Sequence, residues 1–127
     1  MIGLGTVGRG VAGLLRDEGA LYAERCGRSL ELRHVCVRDV EKAKASGAVD
    51  SEIVSDAMDG MLNDPAVDVV VEVAGGLDPV GAYVEQALKA GKHVVTANKA
   101  LLAARGAELF ALAREHGDAI AFEASCG

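Results

Sequence analysis

The sequence begins with MIGLGTVGRG at residues 1–10, a glycine-rich turn that governs how the rest of the chain is interpreted. Gly3, Gly5 and Gly8 have the spacing G-x-G-x-x-G, which at a strand–helix junction forms a cradle for the pyrophosphate of a dinucleotide. Gly3 would permit the tight turn, Gly5 the approach of a phosphate to the backbone, and Gly8 close packing of the helix. The spacing alone is weak evidence, because ordinary strand–helix turns also contain glycines.

A turn of this kind normally follows a buried β-strand, yet only Met1 and Ile2 precede Gly3. A strand usually has roughly five or six residues, so we expect the first strand of the sheet to be largely truncated. We interpret Met1 as an internal or misassigned start, or as the edge of a fragment. Losing most of a central strand would expose the edges of its neighbours and apolar helix faces.

Length and composition limit the classes of protein to which the chain can belong. Its 127 residues suffice for one domain, and a formal net charge of −6 argues against a nucleic-acid-binding surface. No apolar run approaches the roughly 20 residues of a membrane span, and no signal peptide is recognisable. Cys26, Cys36 and Cys126 predict reduced thiols without a disulfide or a zinc site. We therefore expect a cytoplasmic domain.

Helical and strand periodicities alternate along the chain. A first helix, with Val7, Val11, Leu14 and Leu15 as its apolar stripe, would follow the opening turn. Further helices are predicted over 56–62, 78–93 and 106–117, the second of these with Asp78 as a cap. Strands are predicted over 30–37, 67–74, 93–97 and 119–124 and near 53–54. The nearly continuous valines of 67–74 are typical of a central parallel strand covered on both faces.

This alternation, with short connections, predicts the fold class. Strands that alternate with helices form a parallel sheet with helices on both faces, joined by right-handed crossovers. We therefore predict an α/β fold with a Rossmann-like doubly wound parallel sheet.

Two features predict how a nicotinamide cofactor would be held. Free N–H groups around Thr6 and Val7, at the start of the first helix, would face its phosphates. Arg38 and Asp39 follow the second strand, where an arginine accepts the extra phosphate of NADP and an acidic residue binds the ribose hydroxyls of NAD. Lys42 adds positive potential, as does Lys44, so NADP is favoured over NAD. A solvated strand end is the alternative interpretation.

In an open α/β sheet, ligands gather at the carboxyl ends of the strands. The segments EVAGG (72–76) and TANKALLA (96–103) supply two such ends. Their residues predicted to lie near the cofactor are Ala74, Gly75, Thr96, Ala97 and Lys99. Lys99 is either a surface cation at a helix start, which is an electrostatically poor position, or a group that stabilises charge and moves protons beside a reacting carbonyl.

Four stretches of the chain resemble one known family. They are GLGTVGRGV (3–11), VVVEVAGGLDP (69–79), GKHVVTANKALLA (91–103) and FEASCG (122–127). Together they are similar to the amino-terminal nucleotide-binding domain of homoserine dehydrogenase. The resemblance implies reduction of aspartate 4-semialdehyde to homoserine with NAD(P)H, a step toward threonine, methionine and isoleucine. It also implies that residues 1–127 form an NAD(P)-binding domain incomplete at both ends. The substrate and dimerisation domain would be absent, and the parent enzyme would be a homo-oligomer.

The resemblance implies roles for individual residues. Lys99 matches one of two active-site lysines of the family, and Thr6 and Val7 match residues that contact the cofactor's phosphates. Arg38 matches a position that contacts the adenosine phosphate in members that use NADP. Glu123 matches a glutamate that holds a monovalent cation, usually sodium, together with backbone carbonyls.

For the cation site, Cys126 would contribute only its carbonyl oxygen, and hard oxygen ligands suit such an ion. The alternative for Glu123 is a strand-end carboxylate paired with a neighbour. Other functions also stay open: another Rossmann dehydrogenase, of the aspartate dehydrogenase or sugar oxidoreductase type, or a nucleotide-sensing module without chemistry. The segment GKHVVTANKALL (91–102) favours homoserine dehydrogenase over the sugar oxidoreductases.

Overall fold

The structure is a computed structural model that describes residues 1–122, and the sequence elements alternate as predicted. The helices are α1 (Thr6–Cys26), α2 (Val40–Ala45), α3 (Asp59–Leu62), α4 (Val80–Lys89) and α5 (Lys99–His116), with a 3₁₀ turn at Ser51–Ile53. The strands are β1 (Val35–Cys36), β2 (Val54–Ser55), β3 (Val69–Glu72), β4 (His93–Thr96) and β5 (Ile120–Ala121).

The strands form parallel ladders joined through a single residue. β1 pairs with β2, and β3, β4 and β5 pair in that order. Ile2 bridges Cys36 on one side and Glu72 on the other, both in parallel. If Ile2 is counted as the first strand, the spatial order is 3-2-1-4-5-6, which is that of a Rossmann sheet. The predicted fold class is therefore confirmed.

Met1 and Ile2 supply the central hydrogen bonds of this sheet. The amide of Ile2 donates to the carbonyl of Val71 (2.8 Å), and the carbonyl of Ile2 accepts from Val73 (3.0 Å). On the other side the carbonyl of Met1 accepts from the amide of Cys36 (2.9 Å). Two residues thus make the central pairing of the sheet, beside the last residues of β1 and β3.

Beside Met1, a cavity of about 420 Å³ separates the approach to β1 from β3. Its lining is mostly apolar and includes Met1, Val11, Leu15, Leu30, Leu32, Met61, Val67, Val69 and Val71. The side of β3 is open here, and Val69 is 44% exposed. A short first strand was expected to leave a neighbouring strand uncovered in this way.

Aliphatic cores lie on the two faces of the sheet. One joins the sheet to α3, α4 and α5, with Val70, Val84, Leu88, Leu101 and Leu109 fully or almost fully buried. The other joins it to α1 and α2, through Met1, Ala12, Val35, Ala43 and Val54. Helices on both faces are the layers of a doubly wound domain.

The predicted apolar stripe of α1 is confirmed at Val11, which packs half-buried against one of these cores, and wrong at Val7 and Leu14. Val7 and Leu14 are 56% and 48% exposed, and the buried residues of the helix are Gly8 and Ala12. The cause is the close approach of the helix to the opening turn: a Cβ on Gly8 would lie 2.7 Å from the carbonyl oxygen of Gly3. Small residues face the sheet where the helix comes closest to the turn, and Val7 and Leu14 point outward.

Several predicted boundaries also change. The strand predicted over 30–37 shortens to Val35–Cys36, since only two of its residues find a parallel partner in β2. Helix α2 was not predicted. The helix start predicted within 96–103 and the helix predicted over 106–117 form one helix, α5, which begins at Lys99 because the Asn98 side chain caps it. Pro79, and not Asp78, holds the N-cap position of α4, without a side-chain hydrogen bond.

The described residues also bear on the predictions about membrane spans and cysteines. Within residues 1–122, no helix combines the length and apolar character required to cross a membrane. Cys26 is exposed and Cys36 is buried, and both are free thiols; Cys126 lies outside the described residues.

Candidate nucleotide-binding site

A cavity of about 600 Å³ opens at the carboxyl ends of β1 and β3, beside the opening turn. Five residues predicted to bind the cofactor contribute to its lining: Gly3, Gly5, Arg38, Ala74 and Gly75. The sheet order reverses beside Ile2, and ligands of open α/β sheets bind at that switch point. The cavity therefore lies where the fold places a dinucleotide.

The opening turn has the geometry of a phosphate cradle. Gly3 has φ +96°, and a Cβ on it would lie 2.9 Å from the backbone of Ala74, so this position requires glycine. A Cβ on Gly5 would meet nothing within 4 Å, which leaves open space above that backbone. The turn therefore fits a phosphate group that approaches Gly5 closely.

Helix α1 begins directly at this turn, with Gly5 as its N-cap. The first-turn amides, at Thr6, Val7 and Gly8, have no carbonyl partner within the helix and carry the positive end of its dipole. Thr6 and Val7 are exposed and neither lines the cavity, so their predicted contact with phosphate stays a prediction. Gly8 is buried and serves helix packing, the task predicted for it.

Positively and negatively charged side chains both line the cavity. Arg38 lines it together with Lys42 and with Arg9 of α1, whereas Lys44 does not. The Asp39 carboxylate accepts a hydrogen bond from the amide of Lys42 (3.0 Å) and so caps α2. One oxygen of Asp39 is thus committed to the helix, whereas the exposed guanidiniums of Arg38 and Arg9 both have the planar shape that suits a phosphate.

The other predicted residues, Thr96, Ala97 and Lys99, lie at the end of β4 and do not line this cavity. Thr96 is buried, Ala97 is half-buried, and Lys99 is the exposed first residue of α5. The ends of β3 and β4 are nevertheless adjacent, since Glu72 and Thr96 are register partners. The structure therefore brings the loop at 74–76 and the start of α5 to the same edge of the sheet.

Glu72, a residue that the sequence did not single out, links these two loops. Its side chain is fully buried, and its Oε1 accepts hydrogen bonds from the amides of Ala74 and Gly75, both 2.9 Å long. Its Oε2 accepts a 2.6 Å hydrogen bond from the hydroxyl of Thr96. Both oxygens of this buried carboxylate thus have hydrogen-bond donors.

Asn98 completes the connection. Its backbone amide donates to the hydroxyl oxygen of Thr96 (3.0 Å), and its side-chain Nδ2 donates to the backbone carbonyl of Gly76 (2.6 Å). Its Oδ1 accepts from the amide of Leu101 (3.0 Å), which fixes the start of α5. The sequence signal for this network was a lone glutamate within a valine-rich strand, followed in the next strand by Thr96 and Asn98.

The predicted cation ligands, Glu123 and Cys126, lie outside the described residues. Among residues 1–122, no group of three or more His, Cys, Asp or Glu side chains has an arrangement that could hold a metal ion.

The sheet order, the glycine turn against an open cavity and the arginine after β1 together define a dinucleotide-binding domain of the Rossmann class. Comparison with known proteins narrows the class. The family model described as "Homoserine dehydrogenase, NAD binding domain" matches residues 3–123. The chain therefore belongs to the family of homoserine dehydrogenase NAD-binding domains.

Individual relatives agree with this assignment. Homoserine dehydrogenase of Bacillus subtilis is 42% identical over 125 residues, covering 98% of this chain and 29% of the relative. That of Pseudomonas aeruginosa is 44% identical over 123 residues, covering 97% and 28%. The chain thus spans less than a third of the length of these relatives.

Solved structures show the same fold. The crystal structure of a homoserine dehydrogenase from Thiobacillus denitrificans superimposes with a TM-score of 0.90 at 40% identity, covering 98% of this chain and 28% of that one. A hyperthermophilic archaeal homoserine dehydrogenase in complex with NADPH has a TM-score of 0.73 at 23% identity, covering 98% and 42%, and supports the fold alone.

Proposed function

We propose that this chain binds NAD(P) as the nucleotide-binding part of a homoserine dehydrogenase. The observation that carries the proposal is the opening turn, in which open space above Gly5 meets the N-terminus of α1 within a 600 Å³ cavity. Backbone amides of Thr6 and Val7 would hold the pyrophosphate, and Gly3 and Gly8 would keep the turn tight. Ala74 and Gly75 would line the path toward the nicotinamide.

NADP is the favoured cofactor in this proposal. Arg38 is exposed at the cavity, with Lys42 beside it, whereas Asp39 uses one carboxylate oxygen to cap α2. A guanidinium binds phosphate through two parallel hydrogen bonds, so Arg38 suits the additional phosphate of NADP. NAD binding through the other oxygen of Asp39 would be weaker.

In the complete protein, the proposed reaction is interconversion of aspartate 4-semialdehyde and homoserine. The bound cofactor supplies the hydride for the aldehyde carbon of this small-molecule substrate. The developing alkoxide then needs positive charge and a proton, and Lys99 would supply one or both at the start of α5. Thr96 and Ala97 would flank the nicotinamide beside it.

Other parts of the proposal concern the complete enzyme. Glu123 and the carbonyl of Cys126 would hold a monovalent cation, with sodium the favoured ion. The substrate-binding and dimerisation residues would belong to the remaining length of the enzyme, which would assemble as a homo-oligomer. The free thiols of Cys26 and Cys36 suit the cytoplasm.

Titration of the 127-residue chain with NADPH and NADH, followed by cofactor fluorescence, tests the proposal. We expect saturable binding, tighter for NADPH, and no oxidation of homoserine by the isolated chain. Failure to bind either nucleotide contradicts the proposed function. Homoserine oxidation by the isolated chain contradicts the proposal that catalysis needs the remaining length of the enzyme.

The proposed role of Lys99 is tested in the complete enzyme. There, Lys99→Ala should lower kcat far more than it weakens cofactor binding, and a near-normal kcat rules out this role.

A further inference from the structure

The carboxylate of Glu72 is buried at the point where the two loops of the proposed nicotinamide end meet. It lies beneath the cavity wall, since Ala74, Gly75 and Gly76 line the cavity and Glu72 itself is fully buried. Burying an ionisable side chain is costly unless its polar atoms find hydrogen-bond partners. An apolar side chain would be buried in this valine-rich strand at no such cost. The carboxylate is therefore better explained by the hydrogen bonds that it accepts.

Its hydrogen bonds form a closed ring with the two loops. Glu72 holds the amides of Ala74 and Gly75, and it accepts from Thr96 across the sheet. Thr96 in turn accepts from the amide of Asn98, whose side chain returns to the carbonyl of Gly76. The loop after β3 and the start of α5 are therefore tied to one side chain and to each other.

Backbone conformation shows what the ring has to hold in place. Gly75 and Gly76 have φ values of +78° and +84°, and a Cβ on either would meet nothing within 4 Å. Glycine has no side chain that could pack, so side-chain packing does not restrain the backbone at either position. The hydrogen bonds to Glu72 and Asn98 are thus what fixes this turn against the cavity.

We propose that Glu72 is a positioning residue that sets the nicotinamide half of the site, through the 74–76 turn directly and through Thr96 and Asn98 to the start of α5, where Lys99 lies. It contacts neither the cofactor nor the substrate. This role rests on the proposed nucleotide-binding function. It predicts an asymmetry, because the adenosine half is held by the opening turn and Arg38, which Glu72 does not contact through its side chain.

The substitution Glu72→Gln tests the asymmetry with little change in volume. One of the two oxygens in the ring becomes an NH₂ group that only donates. Towards the amides of Ala74 and Gly75 it meets only donors, and towards Thr96 it reverses that hydrogen bond and leaves the hydroxyl hydrogen without its acceptor. Binding of NADPH should weaken roughly tenfold, the effect of losing a charge-assisted hydrogen bond. Binding of 2′,5′-ADP, which lacks the nicotinamide half, should stay within about twofold of the unsubstituted chain.

Glu108→Gln is the matched control, since this exposed carboxylate pairs with Arg105 on α5 and does not line the cavity. It should leave both affinities unchanged. Thr96→Val should reproduce the selective loss of NADPH binding, and Thr96→Ser, which keeps the hydroxyl, should restore it. In ¹H–¹⁵N spectra without nucleotide, Glu72→Gln should move the amide signals of Ala74, Gly75 and Lys99, and Glu108→Gln should not move the first two.

The outcomes separate the two proposals. If Glu72→Gln weakens binding of both ligands equally, or of neither, Glu72 has no positioning role, although nucleotide binding stands. If the unsubstituted chain binds neither ligand, the proposed function fails and the positioning role with it. Unmoved signals of Ala74 and Gly75 would overturn the hydrogen-bond ring independently of any ligand.

Discussion

The α-amino group of Met1 donates a 2.7 Å hydrogen bond to the backbone carbonyl of His34, in line with the ladder that Ile2 makes with its neighbours. The amine is buried against the side of the sheet and also lies 4.0 Å from the sulfur of Met61. Burial lowers its pKa from 8.0 to about 6, and the nearby Cys36 thiol opposes that shift only in part. A terminal amine thus occupies a place suited to a peptide N–H.

This burial predicts that stability rises with pH between about 6 and 8. In that interval the unfolded chain binds a proton at its amine and the folded chain does not, so raising the pH favours the folded state. The gain in the free energy of unfolding that this amine gives is complete above about pH 8 and decreases as the pH falls to about 6. Below about pH 6 the amine is protonated in both states and the gain no longer changes. Urea unfolding at several pH values should show a gain of about 2 kcal/mol across the window.

Acetylation of the α-amino group is the control. It keeps the N–H that donates to His34 but removes the titration, so the acetylated chain should lose this pH dependence. Other ionisable groups near the amine, such as the imidazole of His34 with its partner Asp64 and the Cys36 thiol near Asp56, are common to both forms. Equal pH slopes for the two forms would refute the buried-ammonium explanation.

The cavity beside Met1 predicts that an added strand would stabilise the domain. A five-residue extension of alternating Val and Thr, joined to Met1, would run between the approach to β1 and β3 and cover Val69 and Val71. We expect the free energy of unfolding to rise by about 2 kcal/mol relative to a Gly-Ser extension of equal length, which removes the charge but adds no apolar surface. Indistinguishable urea midpoints would show that the cavity does not accept a strand.

Those parts of the fold that have long periodic patterns could be predicted from the sequence. The valine run gave β3, and the apolar face predicted for α4 is buried at Val80, Val84, Ala87 and Leu88. The two-residue strands β1 and β2 could not be bounded, because their ends are set by pairing across the sheet and not by composition. Helix α2 was missed since it has only six residues and depends on the cap from Asp39.

The candidate site shows a similar division. The glycine turn and Arg38 could be predicted to lie at one site from spacing and residue type, and Gly3, Gly5 and Arg38 do line the same cavity. The hydrogen bonds of Glu72 could not be predicted, since a glutamate in a strand looks like any polar residue until Thr96 is known to be its register partner. Gly8 illustrates the converse case, in which spacing predicted close packing but not its consequence, the outward rotation of Val7 and Leu14.

Two glycines of α1 give a paired test of that packing. Gly8→Ala would place a methyl group 2.7 Å from the carbonyl oxygen of Gly3, so we expect a loss of about 2 kcal/mol of stability. Gly10→Ala meets nothing within 4 Å in the same helix and should stabilise the chain by about 0.5–1 kcal/mol. Thermal unfolding of both variants checks the contrast, and a tolerated Gly8→Ala would contradict the close approach.

The exposed arginine after β1 allows a direct test of cofactor preference. Arg38→Ala removes the only guanidinium in the stretch from β1 to the end of α2, so NADPH binding should weaken roughly tenfold while NADH binding changes little. Lys44→Ala is the matched control, because it removes a cation of the same region that does not line the cavity. Fluorescence titration of the three proteins with both cofactors measures the preference. If Arg38→Ala weakens both cofactors alike, or if Lys44→Ala has the same effect, Arg38 supplies general positive potential and does not recognise the NADP phosphate.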